Sequence, residues 1–418
     1  MRHWILVALL AVATALPAAV IAGTTHSFTS PVQAHPGSRE RQFNVYVPDG
    51  LSGPAPMVIA LHGCRQTHDN VLRDWGLAAA ADRHRFILVA PFITSYDGLR
   101  NPNCWGFWLP QHRQQGRGEP ADLVAIGRQV EARFAVDPRR RYVVGLSSGG
   151  AMAVVLSVTH NEYFAAAASA AGLPYGEDAA AVSFSGCPGS AKFHPVERVV
   201  ADMRAARDSP YRIPLLVLQN NRDCTVVQPA GRNLRDAQLA LNGEGEFIAP
   251  AKALASEAGC KPVHGADHGC RHSIYTVDGK AGSRSIVETV LYDGPLDTPN
   301  RDDTDHGHYW IGGEQGRDGP WAIRRGPSHP DIVWEFFARH GAEGPAPPAP
   351  PVCNSVRAAP GSHVQAGRAV LGGWFNSRAL SSGDRRDIGF AWDFFWQPET
   401  LYESAAGRWF AQRPAGCK

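Results

Sequence analysis

The segment Gly145-Leu146-Ser147-Ser148-Gly149 places a serine among small residues, after the apolar run 141–144 and before the helix-compatible stretch 150–156. A strand, a sharp turn carrying serine and then a helix is the setting in which such a pattern acts as a nucleophile elbow. The turn is strained and brings backbone against backbone, so a side chain at either glycine would collide. Ser147 is therefore the candidate nucleophile. A bare G-x-S-x-G also recurs by chance, and the pattern gains meaning only if a base and an acid follow it.

In hydrolases built this way the chain order is serine, acid, histidine. The run 213–218, Ile-Pro-Leu-Leu-Val-Leu, reads as a buried parallel strand, and Asp223 lies just past its carboxyl end. That rim is where open α/β sheets keep their sites. An isolated aspartate there is equally a turn residue. Further on comes Asp305-His306-Gly307-His308-Tyr309-Trp310-Ile311-Gly312-Gly313. Either histidine has the chemistry to take a serine's proton near neutral pH. Charge developing on the attacked oxygen needs inward-facing amides. Ser148, next after the nucleophile, supplies one. The strand-like run 56–61 ends in His62-Gly63, a turn signal after which the amide of Cys64 or Arg65 can point inward.

Taken together, Leu61-His-Gly-Cys64-Arg-Gln66, Cys104-Trp105, Gly145-Leu-Ser-Ser-Gly-Gly-Ala-Met152 and Gly307-His-Tyr-Trp-Ile-Gly-Gly313 resemble the polyhydroxybutyrate depolymerase and feruloyl esterase family of secreted α/β-hydrolases. The resemblance runs from Arg39 to His340. It implies a serine esterase with Ser147 as nucleophile, Asp223 as acid and His308 as base, leaving His306 as the lesser choice. It also implies an oxyanion hole from the amides of Cys64 and Ser148. Trp105 and Trp310, inside the motifs, are expected to contact substrate. The substrate is expected to be an extracellular polymeric or oligomeric ester, first a polyester of the poly(3-hydroxybutyrate) type, and alternatively a feruloyl or acetyl ester of plant polysaccharide. An amide polymer, or a non-catalytic polymer-binding role, ranks below these. Two departures bear on substrate choice: Arg65 stands where a small polar residue is expected, and Gln219-Asn220 replaces His-Gly before the acid.

The elements needed to hold these residues follow from periodicity. Residues 41–47 alternate as a first strand, 86–91 and 164–171 read as buried strands, and 121–134 has helical apolar spacing. Residues 275–277 and 285–291 form a late strand pair before the histidines. Strands alternating with helices predict an α/β-hydrolase with a mostly parallel sheet and helices on both faces. Of 418 residues 44% are apolar and 19% charged, which suits a globular enzyme. A net charge of +2 without a long basic run gives no attraction for nucleic acid. No C-x-x-C pair, H-E-x-x-H helix or cofactor motif is present, so neither a metal nor a cofactor is expected.

Residues 1–22 carry Arg2 and His3 before an apolar run broken by Pro17, the layout of a cleaved signal peptide rather than a stable membrane anchor. Eight cysteines fit an oxidising compartment. Eight cysteines allow 105 pairings, and local proximity and domain logic suggest Cys260 with Cys270 and Cys353 with Cys417, while Cys64 with Cys104 and Cys187 with Cys224 would staple loops beside the site. The catalytic domain is expected over 23–340 and a proline-rich linker over 341–352. The remainder, 353–418, reads as a small disulfide-containing domain. Its aromatics, Trp374, Phe375, Trp392, Phe394, Phe395 and Trp396, are expected to form that domain's core before any polymer-binding face.

Overall fold

The computed structural model describes residues 23–96, 103–207, 209–243, 250–296, 306–319, 321–340, 354–392, 397–405 and 408–413. The signal segment, the proline-rich linker, the Cys353–Cys417 pair and Phe394–Trp396 lie outside the described residues.

Ten strands form one sheet. In chain order its first members are β1 (Thr24–Ser30), β2 (Arg41–Val47), β3 (Ala55–Leu61), β4 (Ile87–Pro91), β5 (Val136–Leu146), β6 (Ala166–Ala170) and β7 (Leu215–Asn220). Across the sheet the order is β1-β2-β4-β3-β5-β6-β7, followed by Ser285–Tyr292, Arg271–Thr276 and Leu254–Gly259. From β4 to Ser285–Tyr292 every pairing is parallel, and both margins are antiparallel. β3, β4, β6 and β7 are buried throughout, as strands covered on both faces must be, which is why their apolar residues run without a gap.

Side-chain alternation along β5 shows what covers each face. Tyr142 stacks on Phe337 of the helix His329–His340 at 4.5 Å between ring centroids. Three positions on, and so on the other face, Gly145 meets α4 (Ser148–Thr159); a Cβ there would lie 2.7 Å from Gly150 N. Helices α3 (Gly118–Glu131), α4, α5 (Val196–Ala206) and α6 (Pro229–Asn242) touch in series. The helix His329–His340 instead contacts α2 (Leu77–His84), which packs beside α1 (His68–Asp74). Register aligns the carboxyl ends: Leu61 pairs with Gly145, Leu146 with Ala170, Ala170 with Leu218, and Asn220 with Tyr292. The loops that follow these strands therefore open on one rim.

Among the described residues three disulfides join Cys64 to Cys104, Cys187 to Cys224 and Cys260 to Cys270. Beyond the linker, Asn354–Ala358, Glu399–Ala405 and Arg408–Phe410 form one small sheet, and Ala369–Gly372, Arg378–Ser381 and Asp387–Phe390 another. His363 ties this segment together: Nε2–H donates to Glu399 O at 2.9 Å while Nδ1 accepts from Arg368 Nε at 3.0 Å. Among the described residues its buried apolar cluster is Ala369, Ala379, Ile388 and Leu401, with Val364, Ala391, Trp409 and Ala411 packed against it. Of the aromatics expected in that core, the three described ones do not form it: Trp374 and Phe375 are 86% and 83% exposed, and Trp392 is also exposed. Phe375 has φ 54°, a left-handed backbone that turns its ring outward instead of over the sheet.

Candidate active site

Ser147 sits between β5 and α4 at φ 58° and ψ −122°, a conformation an L residue adopts only under constraint. The constraint is visible on both sides. Ser147 N donates to Ala170 O at 2.9 Å, and its carbonyl accepts the first turn's Ala151 N at 2.9 Å. Gly149 lies so close to the end of β3 that a Cβ would fall 2.5 Å from His62 O. A Cβ on Gly63 would be 3.2 Å from Ser147 Cβ, so the turn after β3 lies directly against the serine.

That turn is rigid by construction. Gln66 Oε1 accepts Gly63 N at 2.7 Å, and Gln66 N donates back to Gly63 O at 3.3 Å. His62, fully buried, donates from Nδ1 to Gly63 O at 2.8 Å and accepts Ile93 N at Nε2 at 3.4 Å. Burial pushes its imidazole down to about 4, so it is a neutral brace. Cys64, held to Cys104, and Ser148 both line the same cavity as Ser147.

The loop after β7 brings the acid. Asp223 Oδ1 accepts the amides of Thr225 at 2.8 Å and Val226 at 2.9 Å, and Oδ2 accepts His308 Nδ1–H at 2.7 Å. Burial pushes the Asp223 carboxyl up, while His308 and the two amides pull against it. Nδ1 is committed to Asp223, and His308 lines the cavity together with Ser147. His306 is turned elsewhere: its Nδ1 meets Leu296 O at 3.0 Å and it does not line the cavity.

Gln219-Asn220, the departure before the acid, is structural. Asn220 Nδ2 donates to Gly307 O at 2.9 Å and its Oδ1 accepts Arg222 N and Gly294 N, each at 3.0 Å. Cys224 N donates to His306 O at 3.0 Å. Acid and histidine loops are thus sewn together beside the Cys187–Cys224 disulfide.

The cavity encloses about 620 Å³. Its walls correct the expectation for two tryptophans. Trp105 and Trp310 are both fully buried and neither lines it. Trp105 donates Nε1–H to His62 O at 3.0 Å and packs against the His62 ring under the turn after β3. Trp310 donates to Trp75 O at 2.9 Å and stacks on Trp75 at 4.5 Å, anchoring the histidine segment. A buried indole needs a partner for its N–H, and each has taken a backbone carbonyl. The aromatic walls are Phe107, Trp108, Phe184 and Trp321. Only the neighbourhood of Trp105 in the chain hinted at Phe107 and Trp108; nothing local pointed to Phe184 or Trp321.

Among the described residues no group of histidine, cysteine and carboxylate side chains could hold a metal ion, and no helix is long and apolar enough to cross a membrane. Residues 41–259 match the family model described as esterase PHB depolymerase. The chain is 36% identical over 130 residues to a poly(3-hydroxyalkanoate) depolymerase C from Paucimonas lemoignei, covering 31% of each chain. It is 34% identical over 152 residues to a feruloyl esterase B from Neurospora crassa, covering 36% of this chain and 48% of that one. The match therefore spans less than half the length of either relative. In fold, the structure of an acetyl xylan esterase from Aspergillus awamori superposes with a TM-score of 0.53 at 18% identity, covering 76% of this chain and all of that one.

Proposed function

The chain belongs to the esterase family of PHB depolymerases, and from that premise we propose that it is a serine carboxylic ester hydrolase. The observation that carries the reading is His308, fixed through Nδ1 by Asp223 at 2.7 Å and facing a cavity it shares with Ser147. His308 Nε2 takes the proton as Ser147 Oγ attacks the ester carbonyl. The amides of Cys64 and Ser148 receive the oxyanion, and collapse of the intermediate breaks the acyl–oxygen bond while His308 returns the proton to the leaving alcohol. Water, deprotonated by the same imidazole, then releases the acid from Ser147.

The leading substrate is a polyester of the poly(3-hydroxybutyrate) type, in keeping with the named depolymerase relative. A second reading, esters of aromatic acids, is favoured by the four aromatic cavity walls. Three disulfides support work in an oxidising, extracellular compartment. The exposed Trp374, Phe375 and Trp392 support a C-terminal unit that grips insoluble polymer. Ser147→Ala is expected to lower kcat by about a millionfold with the fold intact. A fluorophosphonate should label Ser147, and labelling elsewhere would overturn the assignment. Turnover of polyester granules, soluble hydroxyacid oligomers and feruloylated oligosaccharides then ranks the substrates.

A further inference from the structure

Gly23, the first described residue, is held more closely than a polar strand end requires. Its N–H donates to Tyr46 Oη at 2.7 Å, and that hydroxyl donates in turn to Asp82 Oδ2 at 2.7 Å. A Cβ at position 23 would lie 2.5 Å from Val47 O and 2.7 Å from Tyr46 Cζ, so only glycine brings a backbone nitrogen to this place. None of the three residues lines the catalytic cavity.

The surroundings of that nitrogen are negative. Asp82, on α2, keeps Oδ1 buried and without a hydrogen-bond partner among the described residues. Arg83, the next residue, is turned to Asp331 instead. Asp49, just past β2, adds a second negative charge acting on the Tyr46 hydroxyl. Such a place suits a positive donor with several N–H groups, and a peptide amide offers one. The sequence supplies the means of making that donor: Val20-Ile21-Ala22 puts small residues three and one before Gly23, the pattern at which signal peptides are cut.

We propose that hydrolysis of the Ala22–Gly23 bond frees Gly23 as the mature N-terminus, and that Tyr46 and Asp82 form the receptor for its α-ammonium. A protease of the signal-peptidase class adds one water across the bond, leaving a carboxylate on Ala22 and a positive charge with three N–H donors on Gly23. β1, a margin strand paired with β2 alone, is thereby clamped to α2 just before its first residue. Processing completes the fold as well as removing the leader.

The test uses the full chain exported from a bacterial host. N-terminal sequencing of the exported protein should read Gly-Thr-Thr-His, and any other start overturns the proposal. A form that retains Ala22 moves the charge away while keeping the amide bond to Tyr46, and it should show an unfolding equilibrium constant about tenfold larger. In Asp82→Asn and in Tyr46→Phe that difference should vanish, because the receptor is gone in both forms. The advantage should be full below about pH 8 and fade as the pH rises beyond it, since the α-ammonium then loses its proton. Tyr46, pushed up to about 12 by burial and by Asp82, stays protonated throughout that range. Equal stability of the two forms, or a difference that Asp82→Asn leaves unmoved, overturns the proposal without touching the esterase reading.

Discussion

At the scale of the residue, the two histidines separated by one glycine have different fates, and mutation should expose the difference. His308→Ala is expected to cost about five to six powers of ten in kcat, because in the proposed mechanism it removes the group that takes the proton of Ser147. His306→Ala should stay within about tenfold of wild type, since its ring meets Leu296 O and does not line the cavity. The opposite ranking in steady-state assays would move the base. Asn220→Ala tests positioning without touching substrate: losing its ties to Gly307 and Gly294 lets the histidine loop drift, and a shift of about 1 Å is enough for a hundredfold loss in kcat. The meeting of Ser147, Asp223 and His308 at one place was legible because each stands beside a local signal, a glycine-flanked turn, a strand end or a glycine–histidine pair. Trp105 and Trp310 were misread because neighbours of catalytic residues in the chain need not share their cavity. Their indole N–H groups turn inward to backbone carbonyls, which is a demand of burial that spacing does not display.

Among the elements, the elbow depends on two close approaches. Gly149→Ala would push a Cβ against the carbonyl of His62. The expected cost is about 3 kcal/mol of stability with turnover nearly abolished, read by chemical denaturation and ester hydrolysis. The Cys187–Cys224 bridge closes a separation of 37 residues and ends one residue past Asp223. The paired substitution Cys187→Ser with Cys224→Ser should cost about 4 kcal/mol by loop-closure entropy. Activity should fall more steeply than the fraction folded, because the acid loop loosens first; parallel losses would show the bridge serves stability alone. The buried parallel strands were readable as unbroken apolar runs. The margins were not: Thr24–Ser30 is mostly polar, and Leu254–Gly259 is half-buried at best. Such strands are held by backbone pairing with a neighbour, a long-range fact with no trace in local hydropathy.

For the whole molecule, acid is the expected weakness. Burial pushes His62, His160 and His340 down to about 4 and His329 to about 3. The unfolded chain binds protons at these sites below about pH 6.5 while the folded one stays neutral, so their stability is full above that pH and is lost as pH falls toward 4. Each histidine withdraws about 1.4 kcal/mol per pH unit in that window. Glu177, pushed up to about 7 by burial, works in the opposite sense, as do the buried carboxyl of Asp223 and that of Glu335, and together they offset part of the loss. Denaturation midpoints should therefore drop sharply between pH 7 and 5, and a flat profile would contradict the neutral burial of these rings. Truncation after Glu343 should leave hydrolysis of a soluble ester intact and weaken adsorption to polyester granules, since Trp374, Phe375 and Trp392 leave with the tail. Equal adsorption by both proteins would assign those rings another role. The sewn loops also join Asp223 and His308 by two routes. His306 is pinned to Leu296 through its ring and to Cys224 through its carbonyl, while His308 meets Asp223 side chain to side chain. A change in the loop after β7 should therefore reach His308 through the backbone as well as through the carboxylate, so that heat or denaturant opens the two loops together as one unit.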